Sequence, residues 1–189
     1  MKARTAPGTV GLLTKIPEYE VALQVALSLE VRLLDRGFDV VLTRRLNQVS
    51  LGNIERAQLA SSSGSDICIK IHCNGVRSSL RYLAFWKRGT LTLVPSRVGP
   101  TAKIFGSSMK FAEVVHRHLI SRTHFPDLGI QERTNLTGFN WSTIPVILLE
   151  LGYLTNPTEE SLLVSEAFQH QVADAIADGV VESHEHLQL

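Results

Sequence analysis

Three apolar runs, Phe38 to Thr43, Ile67 to His72 and Ile144 to Leu149, alternate along the chain with segments of helical periodicity. No other feature constrains the fold as tightly. Runs this apolar have no wet face, so they read as strands covered on both sides, and the intervening helices supply the cover. The expected class is α/β: a mostly parallel twisted sheet with helices on both faces.

The helices have definable ends. After an irregular arm of 16 residues, Pro17 suits a first helical turn, and Ala22, Val25, Ala26, Leu29 and Leu33 recur on one face. Arg36-Gly37 closes that helix with a basic last turn and a C′ glycine. Ser50 is placed to N-cap a short helix to about Ala60, before a loop over Ser61 to Ser65. Tyr82 to Trp86 and Thr90 to Val94 read as two more strands, joined by Lys87-Arg88-Gly89. A long helix is expected from about Ser107 to Ser121, then a loop containing Pro126 and Gly129. Asn156-Pro157 provides an N-cap and N1 proline for a short helix. A final helix from about Ser165 carries Phe168, Val172, Ala175 and Ile176 on one face.

Composition removes several function classes. Lys plus Arg is 19 and Asp plus Glu is 18, a net charge of +1, without the basic excess that nucleic-acid binding requires. No apolar run approaches the roughly 20 residues that cross a bilayer, so no membrane insertion is expected. The opening MKARTAPGTVG has no apolar stretch and does not read as a signal peptide. The two cysteines, Cys68 and Cys73, fall in one strand run on opposite faces, about 16 Å apart, and read as buried thiols rather than a disulfide. The 189 residues fit one domain.

In open parallel sheets, functional groups gather beyond the carboxyl ends of the strands. Arg44, His72 and Glu150 each end an apolar run, which places them on one rim. Taken singly, each is equally the first solvated residue after a strand. Glu18 lies in the first turn of the first helix, where a carboxylate also complements the helix dipole. A carboxylate and an imidazole converging on that rim are two ligands of a zinc site, and a second carboxylate, Glu150, is then placed to activate water.

These residues carry a family resemblance. The stretches EYEVALQVALSLEVRLLDRGFDVVLTR from Glu18, SLGNIERAQLA from Ser50, DICIKIHCNG from Asp66 and IPVILLELGYLTNPTEE from Ile144 stand in the family's order. LTGFN from Leu136 and the closing FQHQVADAIADGV fit as well. Over residues 8–181 the sequence resembles the zinc-dependent N-acetylmuramoyl-L-alanine amidases of the amidase_3 type, bacterial cell-wall hydrolases. The resemblance implies zinc bound by Glu18 and His72, with Glu150 as the catalytic general base and acid. It implies peptidoglycan as partner: the amide between N-acetylmuramic acid and L-alanine is hydrolysed, outside the cytoplasmic membrane. Family members begin with an apolar strand ending in Asp-Pro-Gly-His, whose histidine is a third zinc ligand. This sequence has no such segment, so the single domain over 1–189 is expected to be N-terminally truncated, with weakened zinc binding and sheet backbone left unpaired or rearranged. The alternative function is a metal-deficient homologue that binds peptidoglycan or regulates without catalysis. Another zinc peptidase lacks support, because no HExxH motif is present.

The other histidines read as structural or surface residues. His116 and His118 fall on different helix faces, His124 in a loop, His170 in the last helix, and His184 and His186 in a solvated tail. Arg44 and Arg56 suit substrate carboxylates or surface pairs. Asn74 suits a substrate carbonyl or a turn, and Trp86 and Trp141 suit a sugar-facing surface or partial burial.

Overall fold

A computed structural model describes residues 8–48 and 51–187. The first helix, α1, spans Glu18–Leu34 and buries the stripe Val21, Val25, Leu29 and Leu33. Glu18 and Glu20 sit at its positive end and Arg32 in its last turn. Gly37 adopts φ +83°, a conformation costly for residues with a Cβ, and this turns the chain so that Phe38 N–H reaches Leu33 O at 3.0 Å. Next, α2 covers Asn53–Ser62, with Gly52 at the N-cap donating its N–H to the Glu55 carboxylate. The expected cap, Ser50, lies outside the described residues, and α2 runs into the serine-rich stretch read as loop.

The remaining elements are β1 (Cys68–Asn74), β2 (Thr90–Pro95), α3 (Ala102–Thr123), β3 (Asp127–Arg133) and the short α4 (Thr137–Asn140). Then follow β4 (Val146–Tyr153), α5 (Pro157–Leu163) and α6 (Glu166–Leu187). The sheet order is β1-β4-β2-β3. The β1–β4 and β2–β3 pairs are parallel and the β2–β4 pair is antiparallel, so the sheet is mostly parallel, as expected.

Alternation along β4 separates two cores. Ile147, Leu149 and Leu151 join the large cluster built by α1, α3 and α6, with Phe111, Val115, Leu119, Val172 and Ile176. Val146 and Leu148 point the other way and pack with Leu91, Leu93 and Phe139 of α4. Helices therefore cover both faces. Cys73 belongs to the first cluster and Cys68 borders the second, so the thiols do face opposite ways; only Cys73 is fully buried.

Three expectations are corrected. Phe38 to Thr43 pairs with no strand among the described residues; Phe38 and Val40 pack on the large core, but β1 finds its partner in β4. Apolar content favours a strand, yet a ladder needs a neighbour. Tyr82 to Trp86 is not a strand: Ser78–Leu83 winds into a 3-10 turn, and the N–H groups of Trp86 and Lys87 both bond to Leu83 O. Finally, the region around Gly129 is strand β3 rather than loop. Among the described residues it pairs only with β2, and its mostly polar residues suit a sheet edge, where no continuous apolar run is required.

Candidate active site

Register and alternation bring the two strand-end residues together. His72 and Glu150 are Cα partners across the β1–β4 ladder. Glu150 shares the parity of Val146 and Leu148, and His72 that of Cys68, so both point to the α4 side. Immediately beyond His72 the register shifts, ending the regular ladder at the site.

Glu18 completes the cluster from the head of α1. Its Oε1 accepts from His72 Nδ1 at 2.6 Å and from Cys73 N–H at 3.4 Å, and its Oε2 accepts from Thr9 N–H at 3.0 Å. Burial pushes the Glu18 carboxyl up, but the hydrogen bond and charge of His72 and the two backbone donors outweigh it and hold the group below its usual value. Glu150 shows the opposite balance. Burial raises it, His72 and Arg133 pull it down, Glu18 pushes it up, and the carboxyl stands at about 7. Its Oε2 is buried without a hydrogen-bond partner among the described residues. Two carboxylates in one cluster are thus held on opposite sides of their ordinary value, a division that separates a ligand or stabiliser from a proton carrier.

A trough of about 510 Å³ runs from this cluster between α1, α2, β1 and Val41 to Thr43. Arg44, Arg56 and Lys70 line it. Because Phe38 to Thr43 is not a strand, Arg44 is not a strand-end residue; its guanidinium bonds to Tyr19 O and to Asn47 Oδ1 at 3.0 Å. Arg56 bonds to Leu51 O at 3.1 Å. Lys70 is held below its ordinary value by burial and by Arg56, the charge of Cys68 opposing.

The other candidates stand apart. His116 is buried between Thr92 Oγ1 and Asp127 Oδ1, each at 2.8 Å, and Thr92 is inaccessible, so this Thr-His-Asp chain ties α3 to the sheet. His118 pairs instead with Glu182 at 2.8 Å, so the two histidines do face different ways. His124 is exposed and ends α3 with φ 56°. His184 and His186 are exposed within α6, which continues through the expected tail. Asn74 Oδ1 accepts from Gly75 N–H at 2.9 Å, a turn cap. Trp86 and Trp141 are both exposed.

Two carboxylates of α5 escaped sequence reasoning. Glu160 is fully buried and accepts from Leu13 N–H at 2.9 Å and from Thr14 N–H and Oγ1 at 2.7 Å. Glu159 accepts from Gly89 N–H at 2.7 Å and Tyr153 N–H at 2.6 Å. Apart from Tyr153, their partners are remote in sequence, so no local pattern marks them.

The donor set suits zinc in kind, one carboxylate and one imidazole, and the orphaned Glu150 oxygen lies in the same cluster. Among the described residues, no group of three or more histidines, cysteines or carboxylates converges as a metal site.

Known proteins share the family and the fold of this chain. A family profile described as N-acetylmuramoyl-L-alanine amidase, Amidase_3, matches residues 3–182. The amidase CwlM of Mycobacterium tuberculosis is 27% identical over 175 residues, covering 92% of this chain but 39% of that protein. The catalytic domain of the amidase CwlV from Bacillus (Paenibacillus) polymyxa is 32% identical with a TM-score of 0.81, covering 97% of this chain and 94% of that one. An amidase from Clostridium difficile 630 is 26% identical with a TM-score of 0.84, covering 96% and 91%. The chain belongs to the Amidase_3 family of N-acetylmuramoyl-L-alanine amidases.

Proposed function

We propose that this domain is a zinc hydrolase that cleaves the amide between the lactyl group of N-acetylmuramic acid and L-alanine in peptidoglycan. The observation that carries the reading is Glu150: a buried carboxyl with one free oxygen, standing at about 7, directly across the ladder from His72. A general base and acid works best with a pKa near the operating pH. Glu150 takes a proton from the attacking water and returns it to the departing amine. Glu18 and His72 are the residues that would hold zinc. When bound, the metal supplies a Lewis acid that polarises the scissile carbonyl and acidifies water. The hydrogen bonds from Thr9 and Cys73 fix the Glu18 carboxylate in place. The substrate sets the location, outside the cytoplasmic membrane.

A second reading has one observation in its favour. With two ligands converging among the described residues, the domain would bind peptidoglycan without cleaving it. Zinc per chain by elemental analysis, alongside hydrolysis of a muramyl peptide, separates the two. Near one zinc, new L-alanine amino termini and no new reducing ends support the amidase; Glu150→Gln then abolishes turnover in a folded protein. Turnover in Glu150→Gln at the wild-type rate removes Glu150 from the mechanism, and zinc near zero with no turnover supports the binding module.

A further inference from the structure

The segment between β1 and β2 presents an unusual surface. Tyr82 lies in the 3-10 turn Ser78–Leu83, and Phe85 and Trp86 lie in the turn that continues it, where Trp86 N–H and Lys87 N–H return to Leu83 O, so the three aromatics fall within five residues of chain. All three point outward: they are 70%, 67% and 80% exposed, while Ala84 between them is fully buried. Large apolar side chains clustered in this way on a protein surface mark an interaction site.

The turn is clamped rather than loose. Asn156 Nδ2 lies 3.1–3.2 Å from the carbonyls of Ala84, Phe85 and Lys87. Val76 N–H donates to Thr155 Oγ1 at 3.0 Å and Gly89 N–H to Glu159 Oε1 at 2.7 Å, securing both ends. The aromatic face is therefore presented with its ordering cost already met by the fold.

Its charge is one-sided. Between Asp66 and Glu113 the sequence contains no acidic residue. Arg77, Arg81, Lys87 and Arg88 flank the aromatics and are exposed. Arg88 acts on Glu159, but Arg77, Arg81 and Lys87 have no carboxylate partner among the described residues. Arginine and lysine offer donors only. Aromatic rings also stack on sugars, but a neutral glycan leaves these three cations unmatched. A layer of phosphate headgroups over an apolar interior matches both halves of the surface: aromatic rings enter the interface and the cations meet the phosphates.

We propose that the Tyr82–Phe85–Trp86 face is a peripheral docking surface for an anionic phospholipid bilayer, flanked by Arg77, Arg81 and Lys87. It is independent of the amidase reading, since neither zinc nor turnover enters it.

The test uses the full chain carrying Trp141→Phe, which leaves Trp86 as the only indole. Vesicles of phosphatidylglycerol and phosphatidylethanolamine should blue-shift its emission and carry the protein in flotation; phosphatidylcholine vesicles should do neither. Arg81→Ala with Lys87→Ala should weaken partition about thirtyfold at low salt, from about fivefold per cation. Tyr82→Ser with Phe85→Ser and Trp86→Ser should cost more than tenfold, with an unchanged unfolding transition because these side chains are exposed. Raising ionic strength to about 1 M should release the protein as screening shortens to about 3 Å. Absence of any shift or flotation with the anionic vesicles overturns the proposal. So does partition that the triple substitution leaves unchanged. Retention on purified peptidoglycan that the triple substitution abolishes, without vesicle binding in the parent, assigns the face to glycan instead.

Discussion

Replacing Glu150 by glutamine should stabilise the metal-free protein, but only on one side of the pH scale. The carboxyl stands at about 7 in the folded chain against an ordinary 4.5. The folded state therefore keeps a proton that the unfolded state releases between these values, and stability falls as pH rises through that window. Below pH 4.5 both states are protonated and nothing is lost. Above about pH 7 the loss approaches its limit, at most about 3.5 kcal/mol from roughly 1.4 kcal/mol per pK unit. Glutamine has nearly the same shape and never ionises. Denaturation of both proteins in chelator, from pH 4.5 to 8.5, should give matching stabilities at the acid end and a growing advantage for Glu150→Gln. At pH 8 that advantage is about 6–12 °C in Tm for a domain of this size. Chelation is essential, because a divalent cation beside the cluster would hold Glu150 ionised and erase the difference. An advantage that does not vary with pH, or a variant less stable at pH 8, would refute the argument that burial holds Glu150 protonated.

Further substitutions probe the supports of the site. Glu160→Ala strips the acceptor from Leu13 and Thr14 and should cost about 3 kcal/mol in urea unfolding, since it leaves buried donors without a partner. Hydrogen bonds hold Glu160 below its ordinary value despite burial, so its contribution is present above pH 4.5 and fades as pH falls through the folded value; Glu160→Gln should flatten that part of the acid limb. Asn156→Ala removes both the cap of α5 and the clamp on the aromatic turn, costing about 2 kcal/mol and speeding amide exchange at Trp86 and Lys87. Gly37→Ala should cost about 1 kcal/mol by thermal denaturation, all of it from the left-handed backbone, because among the described residues nothing beyond its chain neighbours lies within 4 Å of the added methyl.

Much of this protein is legible in its residues. Strand β1 and the core of β4 were marked by apolar runs, α1 by its apolar stripe and Gly37, and α5 by Asn156-Pro157. These signals are local: side-chain periodicity and capping are satisfied within a few residues of chain. Glu18, His72 and Glu150 were legible as well, as polar groups at the ends of elements whose direction the pattern sets. What the pattern could not decide was partnership. Phe38 to Thr43 has the composition of a strand but no ladder among the described residues, while polar β3 becomes a strand because β2 offers it an edge. The aromatic turn is fixed by Asn156, some 70 residues away, and the N-terminal arm by Glu160, nearly 150 away. The environment of Glu150 likewise arises only when β1 and β4 lie side by side, since desolvation and the charges of His72 and Glu18 come from other segments. The sequence by itself determined which residues could form helices, strands and a carboxylate–imidazole cluster. Only the tertiary structure decided which backbone edges pair and which buried carboxyl keeps its proton, because both depend on neighbours that long-range packing brings together.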